Sequence, residues 1–386
     1  MSAVMDRALV PADEADLAQA VAAATGPLRI LGGGTRGVGR PVAGQVLSTA
    51  GLSGIRIYEP GALTLVAGAG TPLAEIAATL TAEHQRLPFE PMDHGLLLGR
   101  TGAPTLGGMV AANASGPARI VRGACRDSLI GVRFVDGTGR VVSNGGRVMK
   151  NVTGYDLVKL MAGSWGTLGV LTEVAFKLLP RPETVAMLRC TGLDDARAVA
   201  ALQAAMATPF EVTGAAHLPQ GADGTPVTMI RIEGFAGSVA YRAGRLQDAL
   251  RPHGDFDLDT DAAQVAGAWR AIRDVRGFAD APGDVWHVST VPGDAPGLVA
   301  RVTRVTGARA LYDWGGGRVW LLVPEGTDIR PSLAGLRGHA TLIRASADTR
   351  ARVRPFPPEA PGVAALSDGL RARFDPRGIL NPGLMA

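Results

Sequence analysis

The chain has 386 residues, 46% of them hydrophobic, and a formal net charge of +4, which together permit two domains with full-sized cores. Its basic residues are dispersed among acids, and no basic block is long enough to indicate a nucleic-acid-binding protein. The two cysteines, Cys125 and Cys190, are too few for an iron–sulfur cluster, which needs about four thiolates, and they favour a reducing compartment. Early acids argue against a signal peptide, and no long apolar window predicts a transmembrane helix.

The first glycine-rich segment follows a short predicted strand. Residues 13–24 have the pattern of an amphipathic helix and Leu28–Leu31 that of a strand, which runs directly into glycines. A strand followed by such a loop can present consecutive N–H groups to a phosphate. No Walker A lysine follows, and Pro41 disfavours the helix of a dinucleotide-fold motif, so a plain glycine turn is the alternative. The candidate binding residues here are Gly32, Gly33, Gly34, Thr35, Arg36 and Gly37.

The next part of the chain leads towards a second glycine-rich segment. A helix is predicted from Pro72, at its first position, to about Ala82, with Thr71 as its N-cap. An extended loop follows over residues 85–92. Between the first glycine-rich segment and this helix, strands are predicted at residues 46–48, 55–58 and 64–67.

Residues 101–116 form the second glycine-rich segment. Gly107 and Gly108 permit a ligand to approach the backbone closely, and Asn113 and Ser115 offer polar groups. A diphosphate requires several such donors when it leaves water, although ordinary turn capping by the two polar side chains is the alternative. The candidate binding residues here are Thr105, Leu106, Gly107, Gly108, Asn113, Ser115 and Gly116.

A hairpin and a further strand complete the first part of the chain. Leu129–Val135 is rich in β-branched and aromatic residues, meets the turn signal at residues 136–139 and returns over residues 140–143. A second apolar run, over residues 170–179, follows a Gly-Thr-Leu-Gly sequence and ends at Pro180. Residues 180–183 have the composition of a linker.

Beyond the linker, helical and strand patterns alternate to about residue 345. This alternation predicts an α+β domain in which helices cover one face of an antiparallel sheet, and no internal sequence repeat is evident. A last helix is predicted at residues 363–374. The other strands and helices are predicted at residues 187–190, 194–206, 227–232, 239–250, 262–275, 285–290, 295–306, 309–314 and 318–323.

Several phrases in residues 105–182 resemble the flavin-binding domain of the vanillyl-alcohol oxidase type, also called the PCMH-type FAD-binding domain. They are T-L-G-G-M-V-A-A-N-A-S-G, R-G-A-C-R-D-S-L-I-G and G-S-W-G-T-L-G-V-L-T. The phrase K-N-V-T-G-Y-D-L-V-K-L-M-A-G-S is similar to the FAD-binding E subunits of glycolate oxidases, as is the ending F-D-P-R-G-I-L-N-P-G.

The resemblance implies an α+β fold with three parts. These are a PCMH-type FAD-binding domain of two α+β subdomains at residues 1–180, a small cap of antiparallel sheet and helices at 181–345, and a segment at 346–386 that returns to the FAD domain. It also implies FAD contacts from Asp127 and from the backbone of Gly169 and Val170, so that a change of the Val170 side chain should matter little. Asp127 would cap a loop next to the flavin or bind a ribityl hydroxyl, and the alternative is a salt bridge with Arg126 or Arg122.

The FAD is expected to be non-covalent. Family members that attach it use a histidine after the first loop or a cysteine in the second, and this chain has neither. Cys125 lies just beyond the second segment and is expected to be a small buried apolar residue. No metal site is predicted, because no two histidines have ligand spacing among His84, His94, His217, His253, His287 and His339.

The resemblance implies a flavin-dependent oxidoreductase subunit acting on a CH–OH donor, within a glycolate oxidase complex. Its partners would be a related FAD-binding catalytic subunit, an iron–sulfur subunit and a small 2-hydroxy acid, in the cytoplasm or at the inner face of the membrane. The substrate-oxidising relatives carry H-G-D-G-N-x-H and a carboxylate where Trp165 stands here, so an incomplete substrate site is expected. The alternatives are a stand-alone D-2-hydroxyacid dehydrogenase and a flavin-free scaffold.

The predicted cap contains two short aromatic motifs whose role the sequence leaves open. Trp286-His287 and the run from Tyr312 to Arg318 would line the flavin, pack in the cap core or form a subunit contact. His287 is the best candidate for a general base, but a single unpaired histidine is usually structural, so no catalytic residue is assigned.

Overall fold

The computed structural model describes residues 8–146, 154–221 and 223–386, and the chain divides into two compact units. The first unit comprises Met1–Ser115, Gly123–Arg181 and Pro358–Ala386, and the second comprises Gly116–Arg122 and Pro182–Pro357. Residues 150–153, which open the K-N-V-T-G-Y-D phrase, lie outside the described residues. No helix of the described ranges is long and apolar enough to cross a membrane.

The boundaries of the second unit differ from the predicted division at 345/346. The second unit continues to Pro357 because the Arg330 guanidinium donates to the carbonyls of Pro355 and Phe356, and the Leu342 N–H also donates to Pro355. It includes residues 116–122 because Ile120 packs against its core.

The strands and helices of the described residues agree with most of the predicted elements to within a few residues. The strands are β1 (Leu28–Leu31), β2 (Gln45–Ser48), β3 (Ile55–Glu59), β4 (Thr64–Gly68), β5 (Gln85–Arg86), β6 (Leu129–Val135), β7 (Val141–Gly145), β8 (Val170–Lys177), β9 (Leu179–Pro180), β10 (Thr184–Thr191), β11 (Val212–Leu218), β12 (Val227–Gly234), β13 (Asp257–Asp259), β14 (Asp284–Thr290), β15 (Arg309–Asp313), β16 (Arg318–Val323) and β17 (Gly338–Arg344). The helices are α1 (Glu14–Ala23), α2 (Leu73–Ala82), α3 (Leu106–Ala111), α4 (Arg119–Arg122), α5 (Cys125–Ser128), α6 (Leu157–Met161), α7 (Asp195–Met206), α8 (Ala236–Leu250), α9 (Ala262–Arg273), α10 (Ala295–Thr306), α11 (Ala347–Arg352) and α12 (Pro361–Phe374).

The predicted cap of α2 is wrong. Pro72 itself is the N-cap residue, and Thr71 lies one position earlier. The Thr71 hydroxyl donates to the Gly68 carbonyl at 2.7 Å and accepts from the Gly54 N–H at 2.9 Å. The threonine is therefore used to hold the end of β4 rather than the start of the helix.

The first unit contains a five-stranded antiparallel sheet in the order β3-β4-β8-β6-β7 and a parallel pair, β1 and β2. The predicted hairpin is confirmed, with Val135 opposite Val141 in the β6–β7 ladder. The C-terminal segment pairs with β1, since the Leu28 N–H donates to Ile379 and the Ile30 N–H donates to the Asn381 side chain at 2.9 Å.

The second unit contains an eight-stranded antiparallel sheet in the order β13-β10-β12-β11-β15-β16-β14-β17. It consists of two halves, the first half-sheet (β10 to β13) and the second half-sheet (β14 to β17). If the four strands of each half are numbered 1 to 4 along the chain, the first half-sheet has the order 4-1-3-2 across the sheet. The second half-sheet has the reverse order, 2-3-1-4. The fold therefore repeats where the sequence shows no repeat. The halves join through a single pair, His217 of β11 opposite Tyr312 of β15.

Helices lie on both faces of the first half-sheet, which corrects the prediction of one covered face. Ala215 and Ile230, opposite each other in the ladder, belong to the core formed with α7 and α8. Gly214 and Arg231 form the next pair and point the other way, where Trp269 of α9 packs on them. Because successive side chains of a β-strand point to opposite faces, one pair packs on α7 and α8 and the next pair packs on α9.

Candidate functional site

The two glycine-rich segments of the first unit lie against each other. A Cβ atom on Gly33 would be 1.5 Å from the Ala103 carbonyl oxygen, and one on Gly102 would be 1.9 Å from the Gly33 carbonyl oxygen. A Cβ on Gly32 would be 2.4 Å from the Thr105 hydroxyl. Only glycine permits this approach of two backbones.

The first loop leaves a row of amides available. The four consecutive N–H groups of residues 33–36 donate no hydrogen bond to any described residue. Gly34 has a φ of +70° and is exposed, and nothing would obstruct a Cβ on it within 4 Å. Consecutive free amides of this kind form a concave donor site for an anion.

Arg36 lies at the junction of the two segments. Its Nη2 donates to the Met92 carbonyl at 3.0 Å, and its Nη1 lies 3.7 Å from the Cβ position of Gly108. Its buried Nε has no hydrogen-bond partner among the described residues. Burial lowers the pKa of Arg36 to about 10, although Asp93 and Cys125 oppose this effect. The side chain stays protonated at neutral pH, and a buried cation with an unsatisfied donor suits a negatively charged ligand.

The second segment uses most of its polar groups internally. Thr105 caps α3 by accepting from the Gly108 N–H at 3.3 Å. The N–H groups of Leu106 and Gly107 donate to the carbonyls of Thr71 and Ala69. A Cβ on Gly107 would lie 2.6 Å from the Ala69 side chain, so this glycine allows close packing within the protein.

Asn113 and Ser115 are turn-capping residues, the alternative that the sequence left open. Asn113, at a φ of +46°, accepts from the Arg126 N–H at 3.1 Å through its side-chain oxygen. The Ser115 hydroxyl accepts from the Cys125 N–H at 3.0 Å. Both side chains therefore hold the start of α5.

Asp127 caps a helix and forms the ion pair with Arg126 that the sequence analysis gave as an alternative. Its carboxylate accepts from the Ala124 N–H at 2.8 Å, which caps α5, and lies 3.7 Å from the Arg126 guanidinium. Both charged side chains of that ion pair are about half exposed, so the pair contributes little to stability.

Val170 begins β8, and Gly169 directly precedes it. A Cβ on Gly169 would lie 2.6 Å from the Phe134 ring. Val170 is 1% exposed and packs in the core with Leu28 and Val135. The expectation that its side chain matters little is therefore wrong, because a smaller residue would leave a cavity there.

Gly116 belongs to the second unit. Its carbonyl accepts from the Trp314 indole N–H at 3.1 Å. Trp286 and Tyr312 are fully buried in the core beside α10, so for these two residues the structure favours the core alternative.

The sequence analysis missed the residues that hold the first loop in place. Gly102 and Ala103 pack directly against Gly33. The Asn381 side chain accepts from the Ile30 N–H of β1 and donates to the Trp165 carbonyl at 2.9 Å. The available signal was the Gly-Arg-Thr-Gly run at residues 99–102, which has the same density of small residues as the first loop.

The first unit fits a dinucleotide such as FAD at these segments. The free amides of residues 33–36 and the Arg36 guanidinium could hold its pyrophosphate, and Gly33 and Gly102 form the base of the cradle. Cys125 is 0% exposed, and burial raises the pKa of its thiol, so it is a buried apolar residue as the sequence predicted. No cluster of three or more His, Cys, Asp or Glu residues in the described ranges could hold a metal ion.

Comparisons with known proteins identify FAD as the cofactor of this family. A family profile described as "FAD binding domain" matches residues 5–145. The chain is 35% identical over 363 residues to the glycolate oxidase subunit GlcE of Escherichia coli (strain K12), an alignment that covers 93% of this chain and 92% of that protein. It is 44% identical over 80 residues to the glycolate oxidase subunit GlcD of Bacillus subtilis (strain 168), covering 21% and 17% of the two chains.

A D-lactate dehydrogenase of Archaeoglobus fulgidus matches over a shorter part, with 32% identity over 167 residues, or 42% of this chain and 35% of that protein. Among solved structures, p-cresol methylhydroxylase with substrate bound has a TM-score of 0.72 at 15% identity, covering 98% of this chain and 88% of its own. That likeness confirms the PCMH-type α+β fold. The chain is a flavin oxidoreductase that belongs to the family of FAD-binding glycolate oxidase E subunits.

Proposed function

We propose that this chain is the non-covalent FAD-binding subunit of a complex that oxidises glycolate to glyoxylate and transfers the electrons to a partner. The observation that carries the proposal is the row of free amides at residues 33–36, seated on the second glycine-rich segment beside Arg36. FAD would supply the redox chemistry by accepting a hydride equivalent from a CH–OH donor.

The residues of the first unit would bind and orient the cofactor. The amides of residues 33–36 would donate to the pyrophosphate, and Arg36 would balance its charge. Gly33 and Gly102 keep the two backbones close enough for this. Gly108 and the backbone at Gly169 and Val170 are proposed cofactor contacts, whereas Asn113, Ser115 and Asp127 would act by positioning the loop. In this proposal the first unit is the FAD domain and the second unit is the cap.

Substrate oxidation would fall mainly to a related flavin subunit of the complex. This chain lacks the H-G-D-G-N-x-H signature, and Trp165 stands where a carboxylate is usual. The electrons would continue to an iron–sulfur subunit, because the two buried cysteines of this chain cannot ligate a cluster themselves. We place the complex in the cytoplasm or at the inner face of the membrane.

The test compares Gly33→Ala with Gly26→Ala. A methyl group at residue 33 would overlap the Ala103 carbonyl, whereas nothing lies within 4 Å of a Cβ on Gly26. Gly33→Ala should purify without the flavin absorption bands and Gly26→Ala with them, at equal circular dichroism. A second variant, Arg36→Gln, should weaken FAD binding measured by titration of the flavin-free protein.

Retention of stoichiometric FAD by both Gly33→Ala and Arg36→Gln would contradict the proposed site. A colourless native protein that takes up no FAD would favour the flavin-free scaffold. Acid precipitation should leave the flavin in the supernatant, since the binding is non-covalent. Rapid anaerobic bleaching of this chain alone by glycolate or D-lactate would instead favour a stand-alone dehydrogenase, the reading to which the partial D-lactate dehydrogenase match points.

A further inference from the structure

The contacts between the two glycine-rich segments continue to the far end of the first one. From Gly32 to Gly37, the first segment meets residues of decreasing number: residue 105, then 103 and 102, and finally Arg100. The two segments therefore run past each other in opposite directions. Arg100 lies beside Gly37, directly after the row of free amides at residues 33–36.

The Arg100 guanidinium lies alongside the backbone of the first segment. A Cβ atom on Gly37 would be 3.3 Å from Nη2 of Arg100, 3.7 Å from its Nε and 3.8 Å from its Cζ. The missing side chain at residue 37 thus leaves room for the guanidinium. Because Gly37 is the next residue after Arg36, the group is within one residue of the last free amide.

The donors of the Arg100 side chain are not used within the protein. Its guanidinium donates no hydrogen bond and forms no ion pair with any described residue, and the residue is exposed. Its main chain is fixed, because its N–H donates to the Gly95 carbonyl at 2.8 Å. Arg36 differs, since it is half-buried and its Nη2 donates to the Met92 carbonyl. Two arginines therefore lie near the amide row, one held by the protein and one with its donors available.

A guanidinium in this position suits a phosphate in particular. Its planar N–H groups can meet two phosphate oxygens at once, in a pair of parallel charge-assisted hydrogen bonds. A row of main-chain amides supplies neutral donors from one side only, so oxygens that face away from the row need another donor. The exposed side chain of Arg100 can turn onto such oxygens without breaking any hydrogen bond to the described residues.

We propose that Arg100 is a further phosphate-binding residue of this site, which donates to the pyrophosphate from the exposed side of the amide row. The inference rests on the proposed function for the identity of the ligand, FAD. The preference for a phosphate follows from Arg100 and the amides themselves. Arg100 binds and retains the cofactor and takes no part in its redox chemistry.

The test titrates the flavin-free full chain with FAD and follows the flavin fluorescence, so it does not depend on turnover. At about 0.1 M salt, Arg100→Gln should weaken FAD binding by about threefold to tenfold, because an exposed charge-assisted pair is lost. At about 1 M salt the difference should fall below about twofold, because the Debye length shrinks from about 10 Å to about 3 Å. Arg100→Lys keeps the charge without the planar group and should fall between the native protein and Arg100→Gln.

The matched control is Arg56→Gln. Arg56 is an exposed arginine of β3 whose Nη1 lies 3.8 Å from the Cβ position of Gly54, so it also lies beside a glycine but outside the two segments. This variant should bind FAD like the native protein at both salt concentrations. Inorganic pyrophosphate is the second probe: calorimetry should show that it binds the flavin-free native chain more tightly than Arg100→Gln.

Native FAD affinity in Arg100→Gln at about 0.1 M salt would overturn the inference. A loss of equal size at both salt concentrations would do the same, because Arg100 would then act by shaping the first segment. If Gly33→Ala lacks flavin while Arg100→Gln binds FAD like the native protein, the inference fails and the proposed function stands. A native chain that binds pyrophosphate through Arg100 but takes up no FAD would refute the proposed function and leave the phosphate site standing.

Discussion

The two half-sheets of the second unit have the same strand arrangement but different faces opposite their main helices. In the first half-sheet that face carries Arg231, whose guanidinium donates to the Thr213 hydroxyl and carbonyl and lies 4.8 Å from the Trp269 ring of α9. In the second half-sheet the face carries Arg318 with Ser289 and His339. A helix and internal acceptors enclose the first arginine, whereas the second shares its face with a serine and a histidine. The same topology thus places an arginine on this face in both halves, with different neighbours.

The strongest test of this contrast is Arg231→Ala. The truncation removes the hydrogen bonds to the Thr213 hydroxyl and carbonyl and opens a cavity under Trp269. We expect a loss of about 3–5 kcal/mol in the free energy of unfolding, measured by urea denaturation.

The matched control is Arg245→Ala on the exposed face of α8, which should change stability by less than about 0.5 kcal/mol. If Arg231→Ala lowers the free energy of unfolding by less than about 1 kcal/mol, the proposed difference between the two arginines is wrong. It would mean that the enclosed arginine is as dispensable to folding as a surface one.

A second test concerns the joint between the halves, where His217 and Tyr312 form the single strand pair. Asp195 accepts from the Tyr312 hydroxyl at 2.6 Å and lies 3.3 Å from the His217 ring. Burial alone would raise the pKa of Asp195, but the hydrogen bonds from His217 and Tyr312 outweigh it and leave the pKa below its usual value. We expect Asp195→Asn to lose about 1–3 kcal/mol at neutral pH.

The pH dependence of this loss has a definite sign. A carboxylate whose pKa is lowered by folding stabilises the protein above its unfolded pKa, and this contribution disappears as the pH falls towards the folded pKa. The difference between native protein and Asp195→Asn should therefore be largest at pH 6–8 and shrink below about pH 4. Asp248→Asn, an exposed carboxylate on α8, serves as the control. A difference that grows in acid would contradict the assignment.

The sequence predicted the features that depend on local pattern. The first glycine loop, the β6–β7 hairpin and the helices α7, α8 and α10 all follow from glycine density, turn residues and apolar periodicity. Among the elements that the sequence analysis missed are α3, β11, β13 and β17. Two glycines lower the helix propensity of α3, and its N-terminal amides are satisfied by residues 69–71, which are distant in sequence.

The candidate site was predictable in its residue types but not in their roles. Asn113 and Ser115 have the chemistry of ligand donors, and only the fold shows that they receive main-chain N–H groups of α5. The polar face of the second half-sheet was invisible for a similar reason. Arg318, Ser289 and His339 come from three strands, and their common face depends on a ladder register that no local pattern specifies.

The smallest expected effect belongs to Ser289→Ala, which tests whether the polar face of the second half-sheet contributes to folding as that of the first does. The Ser289 hydroxyl makes no hydrogen bond to the described part of the chain, so its removal should change the free energy of unfolding by less than about 0.5 kcal/mol, measured by urea denaturation. Ser332→Ala, a serine of the same unit outside these strands, is the control and should behave alike. A loss above about 1 kcal/mol for Ser289→Ala alone would make Ser289 a structural residue, and the two half-sheets would then both use this face for folding.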